Sequence, residues 1–114
     1  MSDEQNSVLS AYFDARSLTT MVQVRESIDV LDQALIALLT RRLSCIVAAS
    51  RLKTSPDEAR VLWRVADVIE KVRQGAIDVG FDPNLAQEIW HEMMERCIAF
   101  EHHALSTALE TKNP

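Results

Sequence analysis

From Thr20 onward the apolar positions fall into a helical rhythm. Val24, Ile28, Leu31, Leu35, Leu38, Cys45, Ala49 and Leu52 recur at alternating spacings of four and three, with Arg42 in the same register. No Gly or Pro interrupts the run before Pro56. A helix over Thr20–Leu52 is about 50 Å long at 1.5 Å per residue, whereas a compact chain of this size is roughly 35 Å across. The helix therefore overhangs a monomer and exposes an apolar stripe, which is usually covered by a symmetry mate. The spacing predicts an intertwined two-fold homodimer.

After this helix, Lys53–Ala59 contains Thr54, Ser55, Pro56, Asp57 and Glu58, a loop composition that can also cap the next helix. A second helix is expected over Arg60–Val79, with Val61, Val65, Val68, Ile69 and Val72 on its inner side and Gly80 ending it. Asp82 then suits an N-cap with Pro83 at the first helical position. A third helix runs to about Leu109 through Leu85, Ile89, Trp90, Met93, Met94, Cys97, Ile98 and Leu105. Residues 1–17, polar and without a period, are expected to be a mobile arm. Glu110–Pro114 is expected to be a fraying tail, leaving 18–109 as one all-α domain of three helices, with no internal repeat.

Composition narrows the class further. The chain has 114 residues, 47% apolar and 25% charged, which suits a single globular domain and excludes disordered or low-complexity classes. Two Gly, three Pro and 5% aromatic residues leave too few turns and too little β-forming sequence for an all-β fold. With 12 basic and 17 acidic residues the net charge is −5, which opposes general binding to nucleic acid or to an anionic membrane. No apolar run is long enough to span a bilayer, and the opening MSDEQNS is too polar and acidic for a secretory signal, so a cytoplasmic location is expected. Cys45 and Cys97 lie within apolar helical patterns, which suits a reducing compartment rather than a disulfide framework.

The informative residues are charges that interrupt the apolar stripes, because a buried charge without a partner costs several kcal/mol. Arg42 sits in the seam of the first helix, Arg64 beside Val61, Val65 and Val68, and Glu101 one turn from both Cys97 and Leu105. Taken singly, such long side chains usually snorkel to solvent. Together with Arg25 and Lys53 they make a candidate polar core of four cations and one carboxylate. Guanidinium groups grip carboxylates in pairs of hydrogen bonds and an ammonium acts as a movable point charge, so the set suits a small dicarboxylate ligand. The competing arrangement is an internal salt-bridge network in which Glu101 and Asp32 neutralise two of the cations.

Other signals carry less. His91-Glu92-Met93-Met94-Glu95 has Glu where a zinc-binding H-E-x-x-H helix needs its second His. The adjacent His102 and His103 diverge on a helix, as do His91 and Cys97, so no metal site is expected. Trp63, Trp90 and the Met93-Met94 pair are candidates for the core or the dimer seam, and Cys45 and Cys97 for small core residues.

The runs VRESIDVLDQALIALLTRR (Val24–Arg42) and AASRLK (Ala48–Lys53) resemble the all-helical chorismate mutase family, including its isochorismate pyruvate lyase branch. That family has an Arg opening an R-x-x-I-D-x-L-D string, a second Arg later in the same helix, a Lys at its end, an Arg early in the second helix and a Gln or Glu late in the third. Arg25, Arg42, Lys53, Arg64 and Glu101 match these positions in order. The resemblance implies a three-helix protomer in a two-fold dimer with two shared active sites, Arg25 coming from one chain and the other four residues from its partner. It also implies that the loop after Lys53 closes over the ligand.

The implied reaction is the pericyclic conversion of chorismate to prephenate, which needs no nucleophile, metal or cofactor. By the resemblance, Lys53 and Glu101 are the catalytic donors to the ether oxygen, while Arg25, Arg42 and Arg64 hold the two carboxylates. Two departures bear on the substrate. Val65 stands where better-known mutases have a Glu that contacts the ring hydroxyl, and Cys97 stands where a Ser helps bind the ring carboxylate. Val65 and the strings Ala48–Lys53 and Arg64–Ala66 match the lyase branch, which converts isochorismate to salicylate and pyruvate, but that branch has Gln at the position of Glu101. Chorismate, isochorismate and an amino-substituted chorismate all stay open as substrates, and a non-catalytic helical dimer for binding or regulation is the alternative class.

Overall fold

The computed structural model describes residues 15–112, and every regular element among them is helical. The expected arm falls mostly on residues 1–14, outside the described residues. Ala15–Ser17 forms one 3-10 turn. Helix α1 spans Met21–Ser50, α2 Leu62–Val79 and α3 Pro83–Lys112, with a second 3-10 turn at Pro56–Ala59. Chain contacts divide the molecule into two compact units, one up to Ser44 and one from Cys45 onward.

α1 begins where the local chemistry can satisfy its first amides. Thr20 Oγ1 accepts from the Gln23 amide at 3.2 Å, while Gln23 Oε1 accepts from the Thr19 and Thr20 amides at 2.8 and 3.1 Å. This reciprocal cap fixes the start of the helix. Met21, Val22, Ile28, Leu35, Ile36, Leu39 and Val47 are exposed along α1, while Val24, Leu31 and Leu38 are half-buried. Cys45, expected as a small core residue, is exposed in the single chain.

In the second unit, α2 and α3 form a helical hairpin, and α3 also packs against the Pro56–Ala59 turn. Gly80 ends α2 in the left-handed region at φ 79°, with its own amide and that of Phe81 bonded back to the carbonyls of Ile77 and Ala76. Asp82 Oδ1 then accepts from the Asn84 and Leu85 amides at 2.8 and 3.3 Å, the N-cap expected for α3. Arg73 ties the two helices together, donating from Nη1 to Asn84 Oδ1 at 3.0 Å and Gln87 Oε1 at 2.8 Å. Among the described residues the buried apolar side chains are Ala59, Ala76, Ala86 and Met94. Small residues at these points let the backbones approach closely.

Three sequence expectations need correction. α2 begins at Leu62 rather than Arg60, because the Pro56–Ala59 turn leaves Arg60 and Val61 extended. α3 continues to Lys112 rather than ending near Leu109, since no breaker precedes the Asn113-Pro114 pair. The fraying expected of 110–114 therefore falls on a helical end, and 113–114 lie outside the described residues. Trp63 is 71% exposed at the first turn of α2, which removes it from the core of the single chain and leaves the dimer seam as its expected place.

Two glycines have opposite roles. Gly75 sits inside α2, and a Cβ there meets nothing within 4 Å. Gly75→Ala is expected to raise stability by about 0.5–1 kcal/mol through the helix propensity it restores. Gly80→Ala is expected to lower it by about 1–2 kcal/mol, because φ is positive there. Urea denaturation of the two variants checks both signs.

Candidate functional site

The last turn of α1 tightens before it delivers Lys53. The amides of Arg51, Leu52 and Lys53 donate to the carbonyls three residues back, at 3.2, 3.0 and 3.3 Å, which satisfies the helix end without a glycine. Across the unit, α3 presents Met94, Cys97, Glu101 and Leu105 on one face. Lys53 Nζ donates to Glu101 Oε1 at 2.5 Å, with the side chains 21% and 7% exposed. A charged pair this sheltered is strengthened by low local dielectric, and neither partner can be deleted cheaply. Two candidate residues far apart in sequence thus meet as a sheltered ammonium–carboxylate pair.

The remaining candidates are dispersed. Arg64 is exposed on α2, and its Nη1 donates to Asp67 Oδ2 at 2.6 Å. Lys71 Nζ donates to the same oxygen at 3.0 Å. Hydrogen bonds from Lys71 and then Arg64 hold the Asp67 carboxyl below the usual carboxylate range. Val65 and Cys97 are half-buried. In the first unit, Arg42 is half-buried and Arg25 exposed on α1. Their separation along this one helix is about 25 Å at 1.5 Å per residue, too far for the two arginines of one chain to hold the same small molecule. Of the internal neutralisation expected as the competing arrangement, the Glu101 half is present as the bond to Lys53, while Asp32 is exposed.

A second charged pair has no counterpart in the sequence patterns. Arg60 grips Glu95 with two parallel hydrogen bonds, Nη1 to Oε1 at 2.8 Å and Nη2 to Oε2 at 2.7 Å. The bond to Arg60 holds the Glu95 carboxyl below its ordinary range, and the bond to Glu95 raises the Arg60 guanidinium. Glu95 is the residue that stands where a zinc helix would need histidine, and it is occupied by Arg60. Both residues line an open groove of about 660 Å³ together with Asp57, Ala59, Leu62, Ile98, Ala99 and His102. Glu95, Ile98, Ala99 and His102 form a face of α3 next to the one that carries Glu101. The groove's guanidinium and carboxylate satisfy each other, while the more sheltered of the two long-range pairs is Lys53–Glu101. Only folding joins Arg60 to Glu95, and no period or local spacing signals the pair.

A family model described as chorismate mutase type II matches residues 24–102, more than half of the chain. No curated protein and no solved structure matches it.

Proposed function

The chain belongs to the chorismate mutase type II family and is an enzyme of that type, and from that premise we propose that it rearranges chorismate to prephenate. The observation that carries this reading is the sheltered Lys53–Glu101 pair. In the rearrangement a C–O bond breaks as a C–C bond forms, and negative charge grows on the enolpyruvyl ether oxygen. A donor fixed at that oxygen binds the transition state more tightly than the ground state. Lys53 Nζ is such a donor. Glu101, which accepts from Lys53 through Oε1, is the second residue set beside the ether oxygen.

Arg42 and Arg64 hold the substrate carboxylates, and Arg25 is supplied by the partner chain of a two-fold dimer. The length of α1 and its exposed apolar side chains support that assembly. Arg64 reaches a ligand by leaving Asp67. An exposed pair of this kind is worth no more than about 1 kcal/mol, so a substrate carboxylate held by two hydrogen bonds is enough to displace it. The loop after Lys53 closes over the bound substrate. No described helix is long and apolar enough to cross a membrane, and the site of action we propose is the cytoplasm.

Val65 favours a second reading. An apolar side chain beside Arg64 gives the ring hydroxyl no partner, which suits isochorismate cleavage to salicylate and pyruvate, or an amino-substituted ring, better than an acidic residue would. Incubation of purified protein with chorismate and isochorismate separately, beside an Arg42→Ala variant, decides the matter. Prephenate from chorismate, lost in the variant, is expected. Salicylate and pyruvate from isochorismate with little prephenate would transfer the protein to the lyase reading. No product from either substrate would favour a binding or regulatory dimer or an amino-substituted substrate.

A further inference from the structure

We infer that Glu58 is a positioning residue for Lys53, acting through the peptide unit that joins Lys53 to Thr54. The inference deepens the chorismate mutase reading and rests on it. Glu58 accepts two hydrogen bonds from one residue: the Thr54 amide donates to Oε2 at 3.1 Å, and the Thr54 hydroxyl donates to Oε1 at 2.9 Å. The Thr54 amide belongs to the same peptide plane as the Lys53 carbonyl, so the carboxylate fixes that plane. On the other side of the Lys53 Cα, the Lys53 amide donates to the Ser50 carbonyl at 3.3 Å. Both backbone dihedrals of Lys53 are therefore set by hydrogen bonds, one from the end of α1 and one from Glu58.

The far end of the same turn is anchored independently. Ala59 is buried, and Arg60 is held on α3 by Glu95. Glu58 is thus the link between a turn docked on α3 and the backbone that carries the ammonium of the Lys53–Glu101 pair. Glu58 itself is exposed, and its two carboxylate oxygens accept from Thr54. Its effect is on where the ammonium sits when charge develops on the substrate, and a displacement on the order of 1 Å can cost up to about 10²-fold in rate. Since Lys53 acts mainly on the transition state, the loss should fall on kcat rather than KM.

The test compares steady-state prephenate formation by the wild type, Glu58→Ala, Glu58→Gln and Thr54→Val. Glu58→Ala is expected to lose about 10-fold in kcat with KM within about twofold of the wild type. Glu58→Gln keeps an oxygen for the amide and a nitrogen for the Thr54 hydroxyl, and should stay within about threefold of the wild type, which separates geometry from charge. Thr54→Val removes one of the two bonds and should fall between. An unchanged kcat in Glu58→Ala, a loss as large in the Gln variant, or a change confined to KM would overturn the role of Glu58 while leaving the mutase reading intact. A wild type that forms no prephenate would overturn that reading and this inference together.

Discussion

Lys53→Met should lower kcat/KM for prephenate formation by about 10²–10³, or about 3–4 kcal/mol of transition-state stabilisation, because it removes a fixed donor from the ether oxygen. The same change takes the cation from Glu101, which is only 5% exposed. Breaking one side of a fully buried pair costs about 3–5 kcal/mol of stability, and the partial exposure of Lys53 puts this case toward the lower end. Catalytic and structural losses therefore have to be separated. In the double variant Lys53→Met/Glu101→Gln no charge is stranded, so urea denaturation should show most of the stability restored while the rate stays low. A rate that recovers with stability would make Lys53 structural. Glu101→Gln alone keeps an oxygen for Lys53 and places an amide donor toward the ligand, so it should still form prephenate. A dead Gln variant would remove Glu101 from the donor role.

Two inactive variants, Arg25→Ala and Arg42→Ala, should regain activity when unfolded and refolded together. The two arginines lie about 25 Å apart along α1, so each site in the proposed dimer takes Arg42 from one chain and Arg25 from the other. In a mixed dimer one site carries both substitutions and the other carries neither. An equal mixture makes about half of the dimers mixed, and recovery of about a quarter of wild-type activity is expected. Recovery of none, with dimers present by sedimentation, would mean that both arginines serve one chain's site or that one of them is not needed. A companion variant checks the seam itself. Leu35 is 54% exposed in the chain, and Leu35→Glu, which places an unpaired charge in an apolar seam, should give an inactive monomer.

The helices were legible because their signals are local. The four-and-three spacing of Val24 to Leu52, the Asp82-Pro83 start and the Gly80 stop each act within a turn or two of chain, and α1, the α2–α3 turn and the start of α3 follow them. Boundaries failed where a neighbouring turn competed. The Pro56–Ala59 turn takes Arg60 and Val61 out of α2, and nothing local ends α3 before Lys112. The cation set was legible for a different reason: charges in apolar registers are costly, so their presence is informative before any contact is known.

By itself the sequence determined an all-helical chain, the positions of its helices to within a few residues, and the set Arg25, Arg42, Lys53, Arg64 and Glu101 as the chemistry to explain. Pairing across elements was decided only by the tertiary structure. Lys53 meets Glu101 and Arg60 closes on Glu95, whereas Arg64–Asp67 and Thr54–Glu58 are contacts within one turn of chain. A helical period fixes which way a side chain leaves its own helix, whereas an ion pair depends on the distance and angle between elements. Those are set by which small residues, here Ala59, Ala76 and Ala86, let backbones approach.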